Sequence, residues 1–403
     1  MTRQVSDLLG GFLYSNRVQA VTISAFYFCY FGALGVFIPF GARYLDHIGQ
    51  DSVAIGILMA AITATKIIAP NLWAWLADKF NCHVPIVRLG AILALISFIV
   101  LSFVTSFVSL LVVLIAFGFF WNAILAQIEV LALELSQRSS TSYSQMRLWG
   151  SVGFIIFASA MGWSIDVWGI SSFIPIMLVL FGIMMIVSLA LKSYHHAEGH
   201  VDTHNKKGLI QTLKDRDVIL FFSAFLFLQA SHSPYHIFFD LYLYDFGYSS
   251  KIAGLLFSLG VVSEIVIFLI TSRLIAKYGW FPLIWMTFAI TALRWLVLAL
   301  FVDNPFLLTI SQLLHAATFG IAHAVAVYWL YHKFPGKLKG QGQALYSSLT
   351  WGIGGVLGNL MAGILWVDGQ GAHVMFFVAS LLAVVGLVVI TFIKRSDELA
   401  VKH

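Results

Sequence analysis

Twelve apolar segments, each long enough to cross a bilayer, leave this chain almost no polar length from which to build a water-soluble core. They run over about 18–43, 53–76, 85–105, 107–135, 146–167, 171–192, 218–243, 251–275, 281–302, 305–331, 342–366 and 371–393. Charged residues make up only 10% of the chain, and hydrophobic ones 60%. Soluble domains carry about 25% charged residues, so that class is excluded. An all-α membrane protein is expected.

Lys79, Arg88, Arg138, the stretch Lys192 to Arg216, Arg273, Lys277, Lys333 to Lys339, Lys394 and Arg395 fall on one set of alternate loops. The other set holds little beyond Arg43 and Lys251. The positive-inside rule then places both termini and the central loop on the cytoplasmic side. The net charge of +5 sets topology and implies no nucleic-acid partner. No cleavable leader is expected, because Arg3, Asp7, Asn16 and Arg17 precede a first stretch long enough to span. Cys29 and Cys82 fall in a span and in a cytoplasmic loop, and no disulfide is expected.

The one long polar stretch, 193–217, separates two groups of six spans, giving bundles at 1–192 and 218–403. Its histidines, His195, His196, His200 and His204, read as part of a flexible linker rather than a metal site. The two groups repeat each other. Ala77-Asp78-Lys79-Phe80 closes span two and Ile275-Ala276-Lys277-Tyr278 closes span eight; Trp149-Gly150-Ser151-Val152-Gly153 recurs as Trp351-Gly352-Ile353-Gly354-Gly355. Parallel repeats with a site between them near the midplane are a transporter architecture. The glycines Gly32, Gly35, Gly150, Gly153, Gly352, Gly355 and Gly358 recur at three- or four-residue spacing and should let helices approach closely.

An ionisable group in hydrocarbon is costly and marks a functional position by default. Arg294 lies about 12 residues into its span, or roughly 18 Å, which is the bilayer centre. Glu264 sits at similar depth in span eight and is the expected partner of Arg294, with His315 following in span ten. The pair reads either as a static bridge or as a proton-linked one that breaks and reforms. Glu129 and Arg147 are each nine residues from Arg138 at the turn between spans four and five, so they stand at equal depth. They either tie the two helices or bind a ligand. Span seven carries His232, His236 and Asp240 at four-residue spacing, one stripe that reads as a cavity wall, with Gln229, Tyr235 and the helix-bending Pro234 beside it. His323 extends the surface begun by His315. Lys66 has no partner in its own helix; it meets either a substrate or Glu264 across the pseudo-axis. No nucleophile–base pairing, metal-ligand spacing or phosphate loop is present, so neither an enzyme nor a cofactor is expected.

Trp75-Leu76-Ala77-Asp78-Lys79-Phe80 resembles the loop motif of the major facilitator superfamily, although Ala74, Asn81, Cys82 and His83 depart from it. Met146 to Gly153, Leu259 to Glu264, Leu293-Arg294-Trp295 and Gln312-Leu313-Leu314-His315 resemble the phenylpropionic acid permease family across essentially all twelve spans, and more distantly the lactose permeases. The resemblance implies the major facilitator fold and a gating loop at Asp78. It also implies a substrate pair Glu129–Arg147 and proton coupling by Glu264, Arg294 and His315, with Glu129 a further candidate for the proton. Two departures matter: the lactose permeases have a carboxylate where Thr318 stands and a sugar-stacking tryptophan where Phe154 stands.

The expected function is proton-coupled uptake of a small organic solute across a bacterial-type inner membrane, by a monomer, with an aromatic carboxylate as best candidate. Lys66 or Arg147 would take the carboxylate, and Phe154, Gln229, His232, Tyr235 and His236 would line the rest. The alternatives are a proton-driven exporter of drugs, siderophores or metabolites, or a sugar or nucleoside symporter.

Overall fold

The computed structural model of the chain describes residues 2–193, 206–334 and 336–394, with side chains from Asn16 onward except those of 206, 207 and 337. Among them are twelve helices of membrane-crossing length and composition. They are α1 (Asn16–His47), α2 (Ser52–Phe80), α3 (His83–Leu101), α4 (Phe107–Arg138), α5 (Tyr143–Trp168) and α6 (Ile170–Leu189). After the break come α7 (Arg216–Asp245), α8 (Ser250–Tyr278), α9 (Trp280–Leu300), α10 (Pro305–Lys333), α11 (Lys339–Trp366) and α12 (Ala372–Thr391).

Local chemistry explains where several of them start and stop. Asp51 accepts from the Ala54 amide, Ser106 from that of Ser109, and Asn304 from those of Phe306 and Leu307. Ser142 and Gln145 form a reciprocal capping box that opens α5. Gly279, at φ 76°, makes the turn between α8 and α9 without a linker. The expected spans differ from these bounds by at most four residues, at the ends of α1, α2 and α3. Within 193–217, expected to be a flexible linker, lies a short helix, Lys206–Leu213. Its four histidines, at 195, 196, 200 and 204, lie outside the described residues.

The packing pattern of the first six helices recurs in the last six. α1 packs on α5 and α6, α2 on α4, and α3 on α6; likewise α7 packs on α11 and α12, α8 on α10, and α9 on α12. Contacts between the bundles obey the same two-fold, with α2 against α11 and α5 against α8. Two pseudo-symmetric six-helix bundles result.

Small residues set these distances. A Cβ on Gly153 would run into the Phe28 carbonyl, and one on Gly35 would lie 2.6 Å from the Phe154 carbonyl, so α1 and α5 touch backbone to backbone. The bundles meet the same way: a Cβ on Gly162 would strike the Ser250 carbonyl, and one on Gly56 would lie 2.7 Å from the Gly363 Cα. The closest cross-bundle contacts crowd towards one end of the molecule, here the distal end, which carries His47, Ser52, Trp168, Ser250 and Trp366. The opposite, basic end carries Lys79, Arg88, Arg138, Arg273 and Lys333.

Candidate functional site

Arg294 on α9 is wholly buried (0% exposed), and polar groups of α10 gather round it. Its Nη1 donates to His315 Nδ1 at 3.0 Å and to Thr318 Oγ1 at 3.1 Å, and its Nη2 donates to Gln312 Oε1 at 3.3 Å. The guanidinium also lies over the rings of Tyr235, at 4.5 Å, and Trp295, at 4.6 Å. Tyr235 donates its hydroxyl to the same Gln312 oxygen at 2.8 Å. Two sequence expectations change here. Arg294 is held by neutral groups and not by Glu264, because the α10 residues reach it first. Tyr235, expected to line the substrate cavity, is buried in the nest around the guanidinium.

Glu264 stands beyond the histidine. Its Oε2 is 3.9 Å from His315 Nε2, and its side chain is 18% exposed. Guanidinium only donates, so His315 Nδ1 must accept, and the ring proton of the neutral imidazole resides on Nε2, facing the carboxylate. The order is Arg294, His315, Glu264. The 3.9 Å gap exceeds a hydrogen bond, and a movement of about 1 Å would close it.

The first bundle presents cations with far fewer partners. Arg147 on α5 stacks over the Phe31 ring at 3.8 Å and lies within electrostatic reach of both Glu129 and Glu264. Among the described residues no ion pair within 4.0 Å joins Arg147 to Glu129, so the expected direct bridge across the α4–α5 turn is not made. Lys66 on α2 is half-buried, has no ion pair among the described residues, and does not meet Glu264; its electrostatic neighbour across the bundles is His236. Phe154 is half-buried on α5, its backbone pressed against Gly35.

The α7 stripe divides. His232 and Gln229 line a small cavity together with Thr318, Phe319 and His323 of α10 and Tyr346, Thr350 and Trp351 of α11. Asp240, two turns further along, belongs to the distal end instead of the cavity wall. It pairs with Arg43 of α1 at 3.3 Å and is 1% exposed, and Arg43 also donates to Ser250 Oγ. Asp166 on α5 accepts from the backbone amides of Ser250 and Lys251 at 2.9 and 3.1 Å. Ser52 on α2 donates to Asp368, just past α11. Each of these contacts crosses between the bundles. Sequence reading passed over Arg43 and Asp166 because both sit at helix ends, where charge is common. Asp78 lies 3.6 Å from His83 Nε2 and is 60% exposed, a contact within one bundle. Among the described residues no three His, Cys, Asp or Glu side chains are placed to hold a metal.

α10 and α11 each depart from α geometry beside this site. Ala316–Ile321 and Ser347–Gly354 are π-helical. A sequence carries no simple sign of such a widened turn, yet π segments recur at functional positions.

The sequence matches the model of the MFS_1 like family over residues 20–378. It is 26% identical to the probable 3-phenylpropionic acid transporter of Escherichia coli (strain K12) over 359 residues, 89% of this chain and 93% of that one. It is 25% identical to the maltose permease of Geobacillus stearothermophilus over 400 residues, 96% and 98% of the two chains. Among solved structures, the crystal structure of the nucleoside transporter NupG superposes with a TM-score of 0.84 at 16% identity, covering 94% of this chain and 99% of that one.

Proposed function

Because the chain belongs to the MFS_1 like family, it is a multi-pass secondary transporter and not an enzyme, and we propose that it is a proton-coupled symporter importing a small organic anion, an aromatic carboxylate. Lys66 carries this reading: a half-buried ammonium at membrane depth with no counter-ion among the described residues. An uncompensated cation there is costly, and an anionic substrate would relieve it. Arg147 and the Phe31 face beside it supply a second charge and a ring surface. The relative named as a probable 3-phenylpropionic acid transporter supports the same substrate class.

The proton takes the opposite bundle. Glu264, partly exposed and turned towards His315 Nε2–H, is the acceptor; Arg294 fixes the histidine tautomer from behind. Thr318 is itself an acceptor for Arg294 and bears no carboxylate, so Glu264 takes the role. Glu129 joins the first bundle's charges through Arg147. Both events must bias one movement, the separation and closure of the distal contacts. With the basic end taken as cytoplasmic in an inner membrane, closure at the distal end is read as an inward-facing form, and the carrier is proposed to act as a monomer.

Glu264→Gln is the test. It should abolish uphill accumulation of 3-phenylpropionate in energised vesicles while leaving counterflow; accumulation at the wild-type level would refute the coupling. A sugar symporter is the second reading, favoured by the maltose permease relative. Uptake of labelled maltose without uptake of any aromatic acid would establish it in place of the first.

A further inference from the structure

The cavity between α7, α10 and α11 is lined by three residues that each carry a buried polar atom without a partner among the described residues. They are His232 Nε2, His323 Nδ1 and Thr350 Oγ1, for which no described residue supplies a hydrogen bond. Orphaned buried polar groups are rare, and each calls for an explanation. His232 and Thr350 are each only 2% exposed, so bulk water does not serve them.

Their chemistry can be assigned. His232 Nδ1 lies 2.8 Å from the Leu228 carbonyl, which only accepts, so Nδ1 carries the proton. No carboxylate among the described residues lines the cavity to stabilise an imidazolium, which leaves Nε2 of this lining histidine as a bare lone pair. The Thr350 hydroxyl can donate or accept. Gln229 adds an amide of either polarity. Phe319 and Trp351, 5.3 Å apart at 60°, are the aromatic surface of the same cavity. The space as it stands suits one water-sized group, and no Lys, Arg, Asp or Glu lines it. Phe319 and Thr318 come from one π-helical segment, Thr350 and Trp351 from the other.

We infer that this cavity is a hydroxyl-reading subsite: it takes a neutral hydroxyl projecting from the substrate's ring, which donates to His232 Nε2 and exchanges a hydrogen bond with Thr350, while the ring rests on Phe319 and Trp351. The inference rests on the carrier reading above and sharpens it, since the preferred substrate becomes a hydroxylated ring compound. A site built to bind a hydroxyl penalises the analogue that lacks it, because its own polar groups are then left unpaired. Thr318 borders the cavity and also accepts from Arg294, so an occupied subsite sits against the nest that orients His315.

The test uses full-length protein in nanodiscs and two pairs of probes, read by calorimetry. 3-(3-Hydroxyphenyl)propionate is compared with 3-phenylpropionate, and phenol with fluorobenzene, a ring of similar shape without a donor. Wild-type protein should bind the hydroxylated member of each pair at least about tenfold more tightly. Thr350→Val, nearly isosteric, should reduce that ratio several-fold, and His232→Phe should abolish it. Partition into lipid is common to all three proteins and cancels. Equal affinities within a pair for wild type, no binding of phenol, or a ratio unchanged in Thr350→Val would overturn the inference. Should phenol discriminate as expected while cells accumulate neither acid, the carboxylate assignment fails and the subsite stands.

Discussion

The wholly buried arginine of the second bundle and the half-buried cations of the first live very differently. Arg294 in the second bundle is held by three hydrogen bonds and two aromatic faces, whereas in the first Arg147 has the Phe31 and Tyr27 rings, and neither it nor Lys66 has an ion pair within 4.0 Å among the described residues. Charge that is partnered inside the protein holds a structure or orients a neighbour. Charge left unpartnered waits for something from outside. The proposed division, proton chemistry in one bundle and anion capture in the other, rests on this contrast, and mutation can break it.

The largest effect should come from Arg294→Ala, which strands Gln312, Thr318 and His315 and leaves a large void. A loss of about 3–5 kcal/mol is expected in a denaturant titration. Lys66→Met should do the reverse: stability equal to or above wild type, with substrate affinity reduced about 10- to 150-fold, the worth of one charged hydrogen bond. If Lys66→Met unfolded the protein and Arg294→Ala did not, the contrast would collapse. Next come two glycines that separate packing within a bundle from packing between bundles. Gly153→Ala, inside the first bundle, should cost about 1–3 kcal/mol through overpacking. Gly162→Ala, at the α5–α8 contact, should hold the distal end open with little loss of stability, seen as a longer distance between spin labels at positions 49 and 247. Arg43→Ala should move the same distance distribution by a smaller amount, since other cross-contacts remain.

The smallest effect concerns Asp215, outside the membrane. Burial would raise its pKa, but the Lys333 ammonium at 2.8 Å and the Asp217 amide outweigh that and hold it below the usual carboxylate range. A lowered carboxylate contributes stability above its unfolded pKa and loses it as pH falls through the folded value. Asp215→Asn should therefore flatten only the acid limb of the stability profile, slightly, because the group is solvent-screened.

The twelve helices were legible in sequence because length and apolarity are what a bilayer demands of a span, and the signal is carried by some twenty residues at a time. The repeat was legible too: the motifs ending at Phe80 and Tyr278 close α2 and α8, and the paired glycines bring α1 against α5. The pairing of charges was not. Glu264 and Arg294 looked like partners because both are ionised, while Gln312 and Thr318, which hold the guanidinium, are neutral and leave no periodic trace. His232 and His323 were visible as polar positions, yet their meeting with Thr350 depends on two π-helical turns that no spacing rule reveals.

Asp166 carries one more consequence. α8 begins at Ser250 after Ser249, whose side chain caps nothing, and the first free amides of that helix are satisfied from the opposite bundle. Opening at the distal end therefore strips a helix of its cap, exposing two backbone donors at the moment the halves part. Deuterium uptake at Ser250 and Lys251 becomes a built-in clock for the transport cycle: slow while the distal door is shut, fast whenever it swings.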